Sequence, residues 1–325
     1  MIKTMFKKIK SKLRRLRVVA IAGVMTLSIL AAGGCALPGL GPSVSREGIV
    51  IASGNTTERQ IMAEVVGQMI QHYMPDQDIS TVNNLGSSIL IHQAFMYGNV
   101  NISAVMYTGT SITGELGFEP ETDPDIAMAK VQQGYDELFD AKWYDSYGFE
   151  NTYAFMITEE TAQQYNIQTV SDLEAYADTF DAGVDTSWLE REGDGYNDFL
   201  RIYGFDFKNV MPMEIGLVYN ALSVGEMDVV LGYTTDGRVD SYNLVVLEDD
   251  RKLFPAYDAC PVVTHQALAE HPELDDIINL MIGKIDTSTM QSLNRTSDED
   301  LVEPHLVAQQ FLEENNYFAG GEDPS

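Results

Sequence analysis

The chain has 325 residues, 45 % hydrophobic and 21 % charged. That is more than one compact core usually holds, in an ordinary globular balance, so a wholly disordered chain and a polytopic membrane protein are excluded. Of its 20 bases, eight precede residue 18, and no acid precedes residue 35; the remainder sets 12 bases against 49 acids, a net of −37 that repels phosphate backbones and excludes nucleic-acid binding.

Residues 1–17 form a basic leader and Val18 to Ala32 an apolar stretch. The stretch is short for a membrane span and fits the apolar part of a signal peptide. It runs into Ala32-Gly33-Gly34-Cys35, which resembles a bacterial lipobox with alanine where leucine is usual. The resemblance implies cleavage before Cys35, a diacylglycerol on its sulfur and export; an uncleaved anchor is the alternative. Either places the rest outside the cytoplasm, because the positive end stays inside. Ala36 to Glu47, rich in Pro, Gly and Ser, reads as a tether.

From there strands alternate with helices. Ile49 to Ala52 is a strand, and Thr56 to Met74 carries the helical stripe Ile61, Met62, Val65, Val66, Met69, Ile70. Strands follow at 79–82 and 102–106, with a helix from residue 88 to about 97 between them, then a long helix over 125–144. The alternation resumes with a strand at 153–157, a capping box Ser171-Asp172-Leu173-Glu174 opening a helix, and a strand at 183–185. Helices at 196–203 and 216–224, strands at 228–233 and 244–247, a strand near 262 and helices near 265–269, 274–285 and 300–315 complete the reading.

This pattern predicts an α/β fold of two lobes with mostly parallel sheets and a hinge between them. The expected boundaries are a signal peptide over 1–34, a tether over 35–47, lobe 1 over 48–150 plus 250–318, lobe 2 over 151–249 and a frayed tail over 319–325. In open parallel sheets ligands bind beyond the carboxyl ends of the strands. Tyr107, Tyr233 and Tyr257 lie at such places, and Tyr153 starts a strand at the lobe crossing. A tyrosine face attracts a cation, and several rings together can replace the weak hydration of a quaternary ammonium, which has no N–H to donate. With 16 tyrosines in the chain, packing alone also puts some near strand ends.

Several stretches then carry a resemblance: Val82-Asn-Asn-Leu-Gly-Ser-Ser88, Ile102-Ser-Ala-Val-Met-Tyr-Thr-Gly-Thr110, Asn151-Thr-Tyr153, Asp185-Thr-Ser-Trp188, Tyr233-Thr-Thr-Asp-Gly-Arg238 and Pro255-Ala-Tyr-Asp-Ala-Cys-Pro261. Over about residues 48–318 the sequence resembles the substrate-binding lipoproteins of osmoprotectant ABC transporters, the glycine betaine/carnitine/choline type. The resemblance implies a periplasmic-binding-protein-like venus-flytrap fold of type II and a cage of Tyr107, Tyr153, Tyr233 and Tyr257. It places the ligand carboxylate at Asn55, usually glutamine there, and at Thr110; Asn55 is equally readable as a plain helix cap. An uncharged Thr110 favours a zwitterion over choline. The implied partners are a quaternary-ammonium solute (glycine betaine, carnitine or choline), an ABC permease with a separate ATPase and a lipid anchor at Cys35, with the receptor itself a monomer.

No cofactor and no metal are expected: the five histidines, His72, His92, His265, His271 and His305, show no paired-ligand spacing, and two cysteines are too few for a cysteine-based zinc site. No Walker lysine motif and no Gly-x-Ser-x-Gly occurs, so the chain is expected not to be an enzyme. A choline- or ectoine-preferring receptor of the same family, a ligand-sensing receptor domain and an exported hydrolase are the alternatives.

Overall fold

The computed structural model describes residues 48–318 apart from residue 192; the expected signal peptide, Cys35, tether and tail lie outside the described residues. The first strand, β1 (Ile49–Gly54), is buried throughout and leads into α1 (Thr57–Tyr73). Helix α1 buries Ile61, Met62, Val65, Val66, Met69 and Ile70, the face that the helical spacing predicts. Six such side chains contribute on the order of 10 kcal/mol of gross apolar burial, largely offset by chain entropy. Next come β2 (Ile79–Leu85), α2 (Ser88–Met96) and β3 (Ile102–Tyr107), and both strands lie parallel to β1. A short helix, α3 (Thr108–Thr113), leaves the end of β3, and α4 (Pro124–Phe139) follows. The helix expected over 125–144 stops early because Asp140 takes a left-handed φ of 56°, and the chain turns into β4 (Ala141–Trp143).

The chain then crosses to a second sheet. Its elements are β5 (Tyr153–Thr158), α5 (Glu159–Tyr165), β6 (Asp181–Asp185), α6 (Tyr196–Tyr203), β7 (Asn209–Met213), α7 (Ile215–Ser223), β8 (Val229–Tyr233), α8 (Gly237–Ser241) and β9 (Leu244–Val246). The expected capping box at Ser171 is a short 3-10 turn over Ser171–Ala175, and the Ser171 side chain makes no cap. Asp172 supplies the local acceptor instead, taking the N–H groups of Gln168 and Thr169 at 3.0 and 2.9 Å. The chain returns through β10 (Ala259–Thr264) to the first sheet, which α9 (His265–Glu270), α10 (Glu273–Asn279), α11 (Thr287–Asp298) and α12 (Pro304–Glu314) complete.

The sheet orders are β2-β1-β3-β10-β4 and β7-β6-β8-β5-β9. The two-lobed α/β architecture is as expected, but each sheet is mixed. Beyond the three parallel strands, β2-β1-β3 or β7-β6-β8, come two antiparallel pairings, so one strand in each sheet, β10 or β5, runs against the other four. The reason is common to both: the strand carrying the chain in from the other sheet, β10 or β5, enters against the parallel direction. Alternation along the strands fills both faces. Ile49 and Ile51 join one core and Val50 and Ala52 another, while Val229 and Leu231 join a third and Val230 a fourth. At the crossings the Asn151 N–H donates to the Tyr257 carbonyl at 3.2 Å, and the Thr234 N–H to the Thr152 carbonyl at 3.0 Å. Leu253 and Phe254 still pack with the second sheet, whereas Ala256 packs with the first.

Candidate functional site

The mixed topology decides where the tyrosines go. Because β10 runs against β3, the end of β3 and the start of β10 share one sheet edge, with Tyr107 opposite Ala259. Because β5 runs against β8, the first residue of β5 faces the last of β8, and Tyr153 and Tyr233 are register partners. Both edges face one cavity of about 590 Å3, and all six residues singled out in the sequence (Tyr107, Tyr153, Tyr233, Tyr257, Asn55 and Thr110) line it. That volume lies within the range of small-molecule sites.

The rings are held from behind. The Tyr107 hydroxyl donates to the buried carboxylate of Glu58, which also accepts from the Asn151 amide at 3.0 Å. Tyr153 donates to Asp185 Oδ2 at 2.6 Å and stacks on Tyr233, centroids 4.9 Å apart and planes 26° apart. Tyr233 is fixed through its backbone, since its N–H donates to the Tyr219 hydroxyl at 2.7 Å. The Tyr257 hydroxyl accepts from Arg191 Nη2 at 2.5 Å, a bond between the two lobes. Burial raises the Tyr107 and Tyr153 hydroxyls well above the usual phenol range and pushes Tyr257 up to about 12. These three phenols are therefore neutral at physiological pH and present uncharged π-faces to the cavity.

Asn55 and Thr110 border the cavity on the first-sheet side. Asn55 is exposed and precedes the N-cap of α1, which is Thr56, so the plain-cap reading of Asn55 does not hold. Thr110 sits in the first turn of α3. Gly86, Ser87 and Ser88 line the cavity as well, and Ser87 caps α2 by accepting the Leu90 N–H at 3.2 Å. Asp185 does not line the cavity; it acts through Tyr153 and Ser187. Trp188 is a core residue, 1 % exposed, whose indole N–H donates to the Asp194 carbonyl at 2.7 Å.

Sequence reasoning passes over the charged lining residues Glu58, Arg59 and Arg191. Arg59 Cζ lies 5.0 Å from the Tyr107 centroid, and Arg191 Cζ lies 5.6 Å from the Tyr153 centroid. A guanidinium from each lobe thus stands over a tyrosine that borders the cavity, within cation–π range. Cys260 is buried and free, and among the described residues no group of His, Cys, Asp and Glu could hold a metal. The chemistry on offer is recognition of a cation by π-faces and of polar groups by hydroxyl, amide and guanidinium donors.

Known proteins share much of the sequence and the fold. Residues 47–314 match the family model described as the substrate binding domain of ABC-type glycine betaine transport system. The carnitine transport binding protein OpuCC of Listeria monocytogenes is 49 % identical over 303 residues, covering 93 % of this chain and 98 % of that protein. A glycine-betaine-binding protein of Pseudomonas aeruginosa is 32 % identical over 287 residues, 85 % of this chain and 90 % of that protein. The crystal structure of a glycine betaine/carnitine/choline ABC transporter superposes with a TM-score of 0.81 at 48 % identity, covering 83 % of this chain and 99 % of that one. The chain therefore belongs to the family of substrate-binding domains of ABC-type glycine betaine transport systems.

Proposed function

We propose that the protein is the extracytoplasmic receptor of an ABC importer for quaternary-ammonium solutes of the carnitine and glycine betaine type. One observation carries this reading: four tyrosines, two from each sheet's edge, border a single cavity. Tyr107 and Tyr257 form one half of the cage, Tyr153 and Tyr233 the other, and Asn55 and Thr110 receive the carboxylate. Lobe 1 comprises residues 48–150 and 250–318, and lobe 2 residues 151–249. The packing of Leu253 and Phe254 with the second sheet draws the return crossing toward Pro255. The hinge lies at these crossings. The closed form makes contacts from both halves at once, so ligand shifts the equilibrium toward closure. It then docks as a monomer on a permease energised by a separate ATPase, anchored through lipid on Cys35. The relatives' names and the family support the transport role.

A thermal-shift screen with glycine betaine, carnitine, proline betaine, ectoine and choline tests the reading. A ligand present at 100 times its Kd raises stability by about 2.7 kcal/mol, a shift of several degrees for a chain of this size. A panel that leaves Tm unchanged at millimolar concentration refutes it.

A further inference from the structure

Arg59 is the cation that the cage itself does not need. It stands in the first turn of α1, lines the cavity and is 8 % exposed. Its position is built. The aliphatic stem lies over Gly54, where a Cβ would come within 2.3 Å of Arg59 Cδ. Its Nη2 donates to Ser88 Oγ at 2.7 Å, and its Cζ lies 5.0 Å from the Tyr107 centroid. Hydrogen bonds to Ser88 and to the Tyr107 hydroxyl engage only part of the five N–H donors of a guanidinium. Around it the cavity is lined by the start of α1 (Asn55, Thr56) and the start of α2 (Gly86, Ser87), both helix N-termini that favour an anion. Two acids lie near it: Glu58, engaged by Tyr107 and Asn151, and Glu115, whose carboxyl is raised by burial and drawn partly back down by the Arg59 charge.

A permanent positive charge beside the cage acts differently on two kinds of guest. A quaternary ammonium with no anion meets it as a like charge. A zwitterion brings a carboxylate, which a guanidinium recognises with charge-assisted, often bidentate hydrogen bonds. We infer that Arg59, held by Ser88 and cradled over Gly54, is a specificity-determining residue that receives the ligand carboxylate together with Asn55 and Thr110 and selects carboxylate-bearing quaternary ammonium solutes over choline. This rests on the receptor function proposed above.

Isothermal titration of carnitine, glycine betaine and choline into wild type, Arg59→Gln and Ser88→Ala tests it, with melting curves to confirm folding. Arg59→Gln is expected to lower the carnitine-to-choline affinity ratio at least tenfold, and to do the same for glycine betaine. Ser88→Ala, which frees the guanidinium without removing its charge, is expected to lower the ratio about three- to tenfold and serves alone if Arg59→Gln fails to fold. An unchanged ratio in the folded variants overturns the role of Arg59 and leaves the receptor reading standing. Wild-type protein that binds none of the three solutes overturns the receptor reading and this one together.

Discussion

Replacing Tyr257 by alanine removes one of four rings while leaving the backbone bonds of both crossings in place. A cation over an aromatic face is worth about 0.5–1 kcal/mol at exposed sites and about 2 kcal/mol when desolvated. Tyr257 is half-buried, and its ring is backed by Gly109, where a Cβ would lie 2.9 Å from Cε1. The wall is thus dry on one side and fixed, so the upper part of the range applies, about 1.4–2 kcal/mol or a ten- to thirtyfold weaker Kd for glycine betaine. The alanine variant also loses the hydroxyl that accepts from Arg191 at 2.5 Å. Tyr257→Phe separates the two contributions, since it keeps the π-face and loses the hydroxyl; its affinity should stay within about threefold of wild type. Removing a half-buried ring costs about 2 kcal/mol of stability, or about 4–8 °C in Tm, which leaves a folded protein to titrate. Isothermal titration calorimetry on both variants reads the outcome. A folded alanine variant within twofold of wild type refutes the reasoning, and a phenylalanine variant as weak as alanine moves the energy from the ring to the Arg191 bond.

Gly232→Ala should disturb the cage from behind: the new Cβ would lie 2.6 Å from Tyr219 Cε1 and 2.8 Å from the hydroxyl that holds the Tyr233 N–H. Overpacking of this kind costs about 1–3 kcal/mol, so both Tm and betaine affinity should fall, and a variant with wild-type values of both contradicts the tight packing at this position. Acid should also erode stability through His92, whose pKa burial lowers from 6.5 to about 4. The unfolded chain takes up this proton below pH 6.5 while the folded chain refuses it until about 4, so the contribution is intact above pH 6.5 and declines between those values. Urea titrations at pH 7 and pH 4.5 on wild type and His92→Phe check this. An equally steep acid loss in the variant assigns the slope to other groups.

The strand-end tyrosines were legible because a strand's hydrophobic run ends where its turn residues begin, and Tyr107 and Tyr233 each stand at that point. Their pairing was not, because register between β5 and β8 is a long-range property that places Tyr153 opposite a residue 80 positions away. Strand β7 went unseen for a different reason. Its sequence, Asn-Val-Met-Pro-Met, has a proline and a mostly exposed edge, so neither alternation nor a buried run marks it. Helix α11 was missed because Met290 and Asn294 are its buried residues, too few to draw a stripe. Glu58 and Arg59 look like ordinary first-turn residues of a helix. What makes them part of the cavity is the crossing segment, which sends Asn151 to Glu58, and the start of α2, which sends Ser88 to Arg59. Leu253 and Phe254, which follow the boundary expected at residue 250, pack against the second core, a long-range contact that no local pattern announces.

The two sheets share one strand pattern, and the four phenols occupy corresponding points on it. Tyr107 and Tyr233 close the third strand of each parallel set, while Tyr257 and Tyr153 stand at the mouth of each incoming strand. The enclosure is thus a near-twofold chamber made by one device used twice. Such a chamber has no inherent front or back and suits a guest that is almost a ball. Direction has to come from residues that break the duplication: Arg59 over Tyr107 is matched by Arg191 over Tyr153, whereas Thr110, three residues after Tyr107, is answered by Asp236, three residues after Tyr233. On the receptor reading proposed above, a change in the tail of the preferred solute can evolve at such unmatched positions while the chamber itself is left alone.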